Sequence, residues 1–216
     1  MNTQLCGINF ATSGVTGLLT VGLPVIATDL ALGDELYFWP LSVYVLAIAS
    51  TILLAGSVAD VLGHREMDLV GSFLLSIFIL ACGFAKTGSS FVAFRAIQGL
   101  AMSLHLSSSV GIIANALPRG RGRNIAFSCL PISMSLGYSS GLVLGGVFVD
   151  SIGWRAGLYV FGGLTALLSV VGFWALPPSV TSGTVRQRLA RLATDNDWVG
   201  ALIASAFMAL LSYTFA

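Results

Sequence analysis

Long, uniformly apolar runs alternate along the chain with short polar breaks. The runs extend from Leu5 to Ala27, Pro40 to Val61, Leu69 to Ala85, Phe91 to Leu117, Ile125 to Val149, Arg155 to Leu176 and Val199 to Ala216. A bilayer core about 30 Å thick takes about 20 apolar residues per crossing helix. The pattern therefore predicts six complete membrane-spanning helices and part of a seventh. A membrane barrel does not fit, because its strands alternate in segments of about 10 residues. The expected fold is all-α: a six-helix bundle over residues 1–176, a polar linker over 177–198 and a truncated seventh helix over 199–216.

Composition agrees with the pattern. The chain is 56% hydrophobic and 9% charged, against about 25% charged in a soluble domain, which excludes a water-soluble enzyme or binding module. Among the charged residues only Asp60 and Arg95 read as lying inside a run, with Arg155 at the edge of one. The opening MNTQLCG has no basic residue, so the first run is expected to be a spanning helix and not a cleaved signal. Arg65, Arg119, Arg121, Arg123, Arg186, Arg188 and Arg191 follow the even runs, whereas only Lys86 and Arg155 follow the odd ones. Basic residues concentrate in cytoplasmic loops. The N-terminus and the even connections are therefore expected in the cytoplasm of a multi-pass protein of the plasma membrane or the vacuolar membrane.

Catalytic and metal chemistry find no foothold in the motifs. Cys6, Cys82 and Cys129 lie in apolar runs without CxxC or Cys/His spacing, so no metal or other cofactor is expected. No GxSxG, HExxH or phosphate-binding glycine loop occurs, and an intramembrane enzyme finds no paired acids and no His/Ser constellation. Nucleic-acid binding is not needed to account for the arginines, since the net charge is only +1.

The polar positions that interrupt the runs are more informative. GSVADVLGHRE, Gly56 to Glu66, closes the second run and turns into the third. Gly63 can take the backbone angles of a tight reversal, and Asp60 with Arg65 is expected to form a latch that holds two helices at one face of the membrane. A simple interfacial anchor with Arg65 reaching to the surface is the plainer alternative. Arg95 lies about one turn into helix 4, where a charge is costly and is expected to face a cavity or a partner. Gln98 and His105 fall within about 20° of one helical face; His105 could equally be a hydrogen-bonded packing residue. Thr12, Thr16 and Thr20 form a stripe that either meets substrate or bonds back to its own helix. Gly137, Gly141 and Gly145 recur every fourth residue, as a helix-packing ridge would, and Pro131 marks a kink. Between residues 177 and 198, Val185, Leu189 and Leu192 with Arg186, Arg188 and Arg191 predict an amphipathic surface segment.

These stretches carry a family resemblance. GSVADVLGHRE resembles the loop signature of the major facilitator superfamily at Gly56, Asp60, Gly63 and Arg65, with Val61, His64 and Glu66 departing from its usual basic residues. FRAIQGLAMS is similar to that family's RxxQG element at Arg95, Gln98 and Gly99, where the arginine is implicated in proton coupling. LGYSSGLVLGGVFVD resembles its antiporter signature at Gly137, Gly141, Gly145 and Gly146, with Leu142 replacing the usual proline. DNDWVGALI, Asp195 to Ile203, looks like the start of helix 7 in the fourteen-helix drug:proton antiporters, fungal members especially. That branch carries an acid in helix 1 where this chain has Val15.

The resemblance implies a proton-coupled exporter of small organic compounds working by alternating access between two halves. Its expected partners are the lipid bilayer, a small-molecule substrate, protons, and a missing C-terminal half or a second copy. The helix 5 glycines would then form the seam with that missing half. The alternative expectation is a truncated half-transporter that binds or regulates without transporting.

Overall fold

A computed structural model describes residues 1–177 and, beyond them, residues 200, 203, 205–207 and 210, all six of these helical. The expected linker beyond Pro177 and most of the expected seventh helix lie outside the described residues. Within them the chain forms α1 (Asn2–Asp29), α2 (Trp39–Leu62), α3 (His64–Phe84), α4 (Gly88–Ala116), α5 (Arg121–Ser151) and α6 (Trp154–Ala175), with a short 3-10 turn at Asp34–Leu36. All six helices are long and apolar enough to cross a membrane.

Local sequence accounts for where the helices start. Pro40 sits in the first turn of α2, where its missing N–H and fixed φ cost nothing. The Thr87 hydroxyl accepts a hydrogen bond from the Ser90 N–H at 3.4 Å and so caps α4. Gly63 joins α2 to α3 directly at φ 113°, ψ 130°, backbone angles that L side chains resist. One boundary differs from expectation. Hydropathy places the third helix from Leu69, but α3 begins at His64, immediately after the glycine pivot. Its first turns therefore contain His64, Arg65, Glu66 and Asp68 as helical residues, and Asp68 is completely buried.

Packing follows the order α5, α1, α6, α3, α4, α2, each helix lying mainly against its neighbours in that row. Three apolar clusters fill it. One, at the end that carries the α1–α2, α3–α4 and α5–α6 connections, gathers Leu18, Ile26, Phe91, Trp154, Leu158 and Phe161. A middle cluster holds Ile8, Tyr44, Leu75, Ala101 and Met102. The last, at the α2–α3 end, holds Leu5, Ile112, Ile113, Ala126, Leu130 and Leu176.

The glycine ridge of α5 packs against α1 within this same bundle. A Cβ at Gly137 would strike the Phe10 carbonyl, one at Gly141 the Gly14 carbonyl, and one at Gly145 would come within 2.8 Å of the Leu18 Cα. The expectation of a seam with a missing half is thus corrected for these three residues, which are spent on α1. A Cβ at Gly146 would meet nothing within 4 Å among the described residues. Close backbone approach is how small-residue ridges gain dispersion contact where lipid supplies no hydrophobic drive.

Candidate functional site

Arg95 on α4 is 1% exposed. Its Nε donates to the Pro40 carbonyl of α2 at 3.0 Å, its Nη1 donates to Gln98 Oε1 at 2.6 Å, and its guanidinium carbon stands 4.3 Å from the centre of the Tyr44 ring. Each contact offers partial negative charge, so a cation that could not be buried bare is dispersed over a carbonyl, an amide and a π face. Arg95 Nη2 is buried without a hydrogen-bond partner among the described residues. A crevice beside the guanidinium is lined by Thr12, Val15, Tyr44, Leu75, Ile79, Arg95 and Gln98. Val15 therefore stands in the arginine's own surroundings, at the position where the resembling branch has an acid. Thr12, Thr16 and Thr20 all donate to carbonyls one turn back on α1, so their hydroxyl protons serve the helix.

Gln98 and His105 share a face of α4 but not a site. Gln98 turns to Arg95 and to the Cys82 sulfur at 3.6 Å. His105 turns to α3, where its Nδ1 is 2.8 Å from Asp68 Oδ1, both side chains fully buried. The contact is a close approach of the two side chains and does not meet hydrogen-bond geometry at Nδ1 among the described residues. Gln4 of α1 donates from Nε2 to Asp68 Oδ2 at 3.3 Å. Ser109 Oγ lies 3.5 Å from both Asp68 Oδ1 and His105 Nε2.

Asp68 was missed by the sequence reading, because it sits one residue before an apolar run. The readable signal was the absence of any helix breaker between Gly63 and Asp68. The expectation of no His/Ser constellation is corrected as well, since Asp68, His105 and Ser109 meet. Their geometry is not that of an activated nucleophile: Ser109 gives its proton to the His105 backbone carbonyl at 2.7 Å, and Ser109 is fully buried.

The expected latch is arranged differently from its prediction. Asp60 is 74% exposed and faces His64 Nε2 at 3.4 Å. Arg65 turns away from it and donates from Nη2 to the Phe173 carbonyl of α6 at 2.8 Å. No ion pair joins Asp60 to Arg65 among the described residues. The reason is angular: Gly63 starts a new helix, so Arg65 projects from α3 toward α6 and His64 is the residue left beside Asp60. The His64 ring fills the space that a side chain at Gly111 of α4 would take. At the opposite end, Asp29 accepts from Trp154 Nε1 at 2.9 Å and from Arg155 Nη1 at 3.3 Å, which ties α1 to α6.

The Major Facilitator Superfamily model matches residues 5–216. The chain belongs to this family. It is 37% identical over 98% of its length to MFS-type transporter 1 of Pyricularia oryzae, of which it covers 39%. It is 30% identical over 96% of its length to the cephamycin export protein CmcT of Amycolatopsis lactamdurans, of which it covers 41%. The chain thus spans about two fifths of the length of these relatives. Among solved structures, the peptide transporter POT in complex with sulfate matches 97% of this chain and 45% of its own with a TM-score of 0.70 at 18% identity. That likeness carries the fold. As a superfamily member the chain is a multi-pass integral membrane protein, in keeping with its six helices of spanning length.

Proposed function

We propose that the chain forms one six-helix half of a secondary active transporter that exports small organic compounds, driven by protons and operating by alternating access. The supporting observation is Arg95: a cation with 1% exposure, held at the α2–α4 contact, with one guanidinium nitrogen unpartnered among the described residues, beside a crevice. A buried charge in a membrane helix marks a place where binding or proton movement changes the local field. Relatives named as a cephamycin exporter and a multidrug resistance protein support the export direction. In this reading the α2–α3 and α4–α5 turns face the cytoplasm, and Gly56, Asp60, Gly63 and Arg65 form the moving joint at that face. Arg95 tunes the proton or substrate site.

The test is dye or antibiotic efflux from cells expressing the full-length transporter, energised by an imposed proton gradient. Arg95→Ala is expected to abolish efflux while expression in the membrane stays at the parental level. Arg95→Lys, which keeps charge but loses the planar fork, is expected to retain a fraction of it. Efflux at the parental rate in Arg95→Ala would remove the assigned role.

A further inference from the structure

We propose that Asp68 and His105 form a proton-binding site, entered from the α2–α3 end of the bundle through Asp60 and His64. This deepens the proton-coupled reading above, which leaves open where a proton sits in a chain whose helix 1 has Val15 in place of an acid. The site is built, not incidental. A Cβ at Gly71 of α3 would lie 2.9 Å from the Ala101 carbonyl oxygen and 3.0 Å from the backbone nitrogen of His105, so this glycine lets the α3 and α4 backbones approach closely where Asp68 reaches the imidazole. A Cβ at Gly172 of α6 would lie 3.1 Å from Gln4 Nε2, so that glycine makes room for the amide that holds the second carboxylate oxygen.

Exposure of the titratable groups falls from 74% at Asp60 to 19% at His64 and 0% at Asp68 and His105. Asp60, His64 and Asp68 are spaced by four residues, so His64 and Asp68 stand one turn apart on the same side of α3. Among the described residues, the side chains that hydrogen-bond to the pair are neutral. Gln4 comes from α1 and Ser109 from α4, both neutral, and Gly172 from α6. Arg65 is directed to the Phe173 carbonyl, and Glu66 is the remaining carboxylate of that turn.

A proton arriving from water passes by way of His64 and forms one new N–H bond on His105. The pair is then an imidazolium and a carboxylate of zero net charge. Losing the proton leaves a single buried negative charge, which demands solvation that the closed interior does not offer. Proton release is thereby tied to an opening that lets water reach the α3–α4 contact, next to the Gly63 pivot.

The chain has two histidines, so 15N-histidine labelling of the full chain in lipid nanodiscs gives ring-nitrogen signals from two residues, and His64→Gln leaves only those of His105. The His105 titration is expected to differ between the chain with Asp68 and Asp68→Asn by about tenfold or more in proton affinity. Identical titrations overturn the site. If Asp68→Asn does not fold, the carboxyl infrared band of Asp68 is followed in His105→Gln instead: a displaced titration supports the pair and an unchanged one overturns it. Proton exchange at His105 after a pH jump is expected to slow in His64→Gln, and equal rates overturn the path. Gradient-driven efflux of the full-length transporter separates this from the transport reading. A displaced titration without efflux in any variant leaves the site and removes transport, whereas efflux with identical titrations does the reverse.

Discussion

Asp60 and Asp68 are two turns apart along the chain and opposite in energetic character. Asp60 is 74% exposed beside a partly covered histidine, and an exposed pair of this kind contributes about 0 to 1 kcal/mol. Asp68 has no exposure and faces a buried imidazole, and removing one partner of a buried pair costs about 3 to 5 kcal/mol. Asp60→Asn is therefore expected to leave the thermal midpoint in detergent micelles nearly unchanged, and Asp68→Ala to lower it by many degrees. Equal shifts would mean that Asp68 is solvated in the native state. Hydropathy ranks the two acids the other way, because Asp60 closes an apolar run and Asp68 precedes one. Arg95, by contrast, was legible from sequence: few arginines lie within an apolar run, and the structure buries it against a carbonyl, an amide and a ring. What the chain alone could not show was that Gln98 serves Arg95 while His105, on nearly the same face, serves a different helix.

Among the helices, α1 and α5 make the tightest backbone approach, and it runs through glycines. At Gly141 an added methyl group would meet the Gly14 carbonyl, which belongs to backbone and cannot swing aside. Gly141→Ala is expected to force the helices apart at a cost of about 1 to 3 kcal/mol, read as a lower unfolding midpoint in micelles. Gly146→Ala, with nothing within 4 Å among the described residues, is expected to leave the midpoint unchanged, and a matching loss there would refute the packing account. The four-residue spacing made the ridge readable in advance, since only small residues recur on that face. Its partner was not readable, because spacing describes one surface and says nothing about which surface meets it. Helix ends behaved similarly. Apolar runs located all six helices, but α3 starts before its run, where the Gly63 angles and not hydropathy decide the boundary.

At the scale of the whole molecule, the packing row leaves α2 and α5 at its ends, and they are the least covered spans. Only 11% of the most apolar stretch of α2 and 17% of that of α5 are buried, against 61% for α1. Their open faces carry Val45, Leu53, Val143 and Val147, side chains that lipid or further protein must cover. The bundle also has two chemically distinct ends. Arg119, Arg121 and Arg123 stand at the end with the α2–α3 turn, whereas Asp29, Asp150 and Lys86 stand at the other. The proposed orientation follows from that asymmetry, because translocating basic residues is disfavoured and acids count for little. Gly33 and Gly122 are the positions to probe, one at each end, since a Cβ at either meets nothing within 4 Å among the described residues. In a background with Cys6, Cys82 and Cys129 replaced, a membrane-impermeant maleimide is expected to label Gly33→Cys in intact cells and Gly122→Cys only after permeabilisation. The reverse pattern would invert the protein in its membrane. It would also place the entry through Asp60 and His64 on the outer face, so that protons would reach Asp68 and His105 from the opposite compartment.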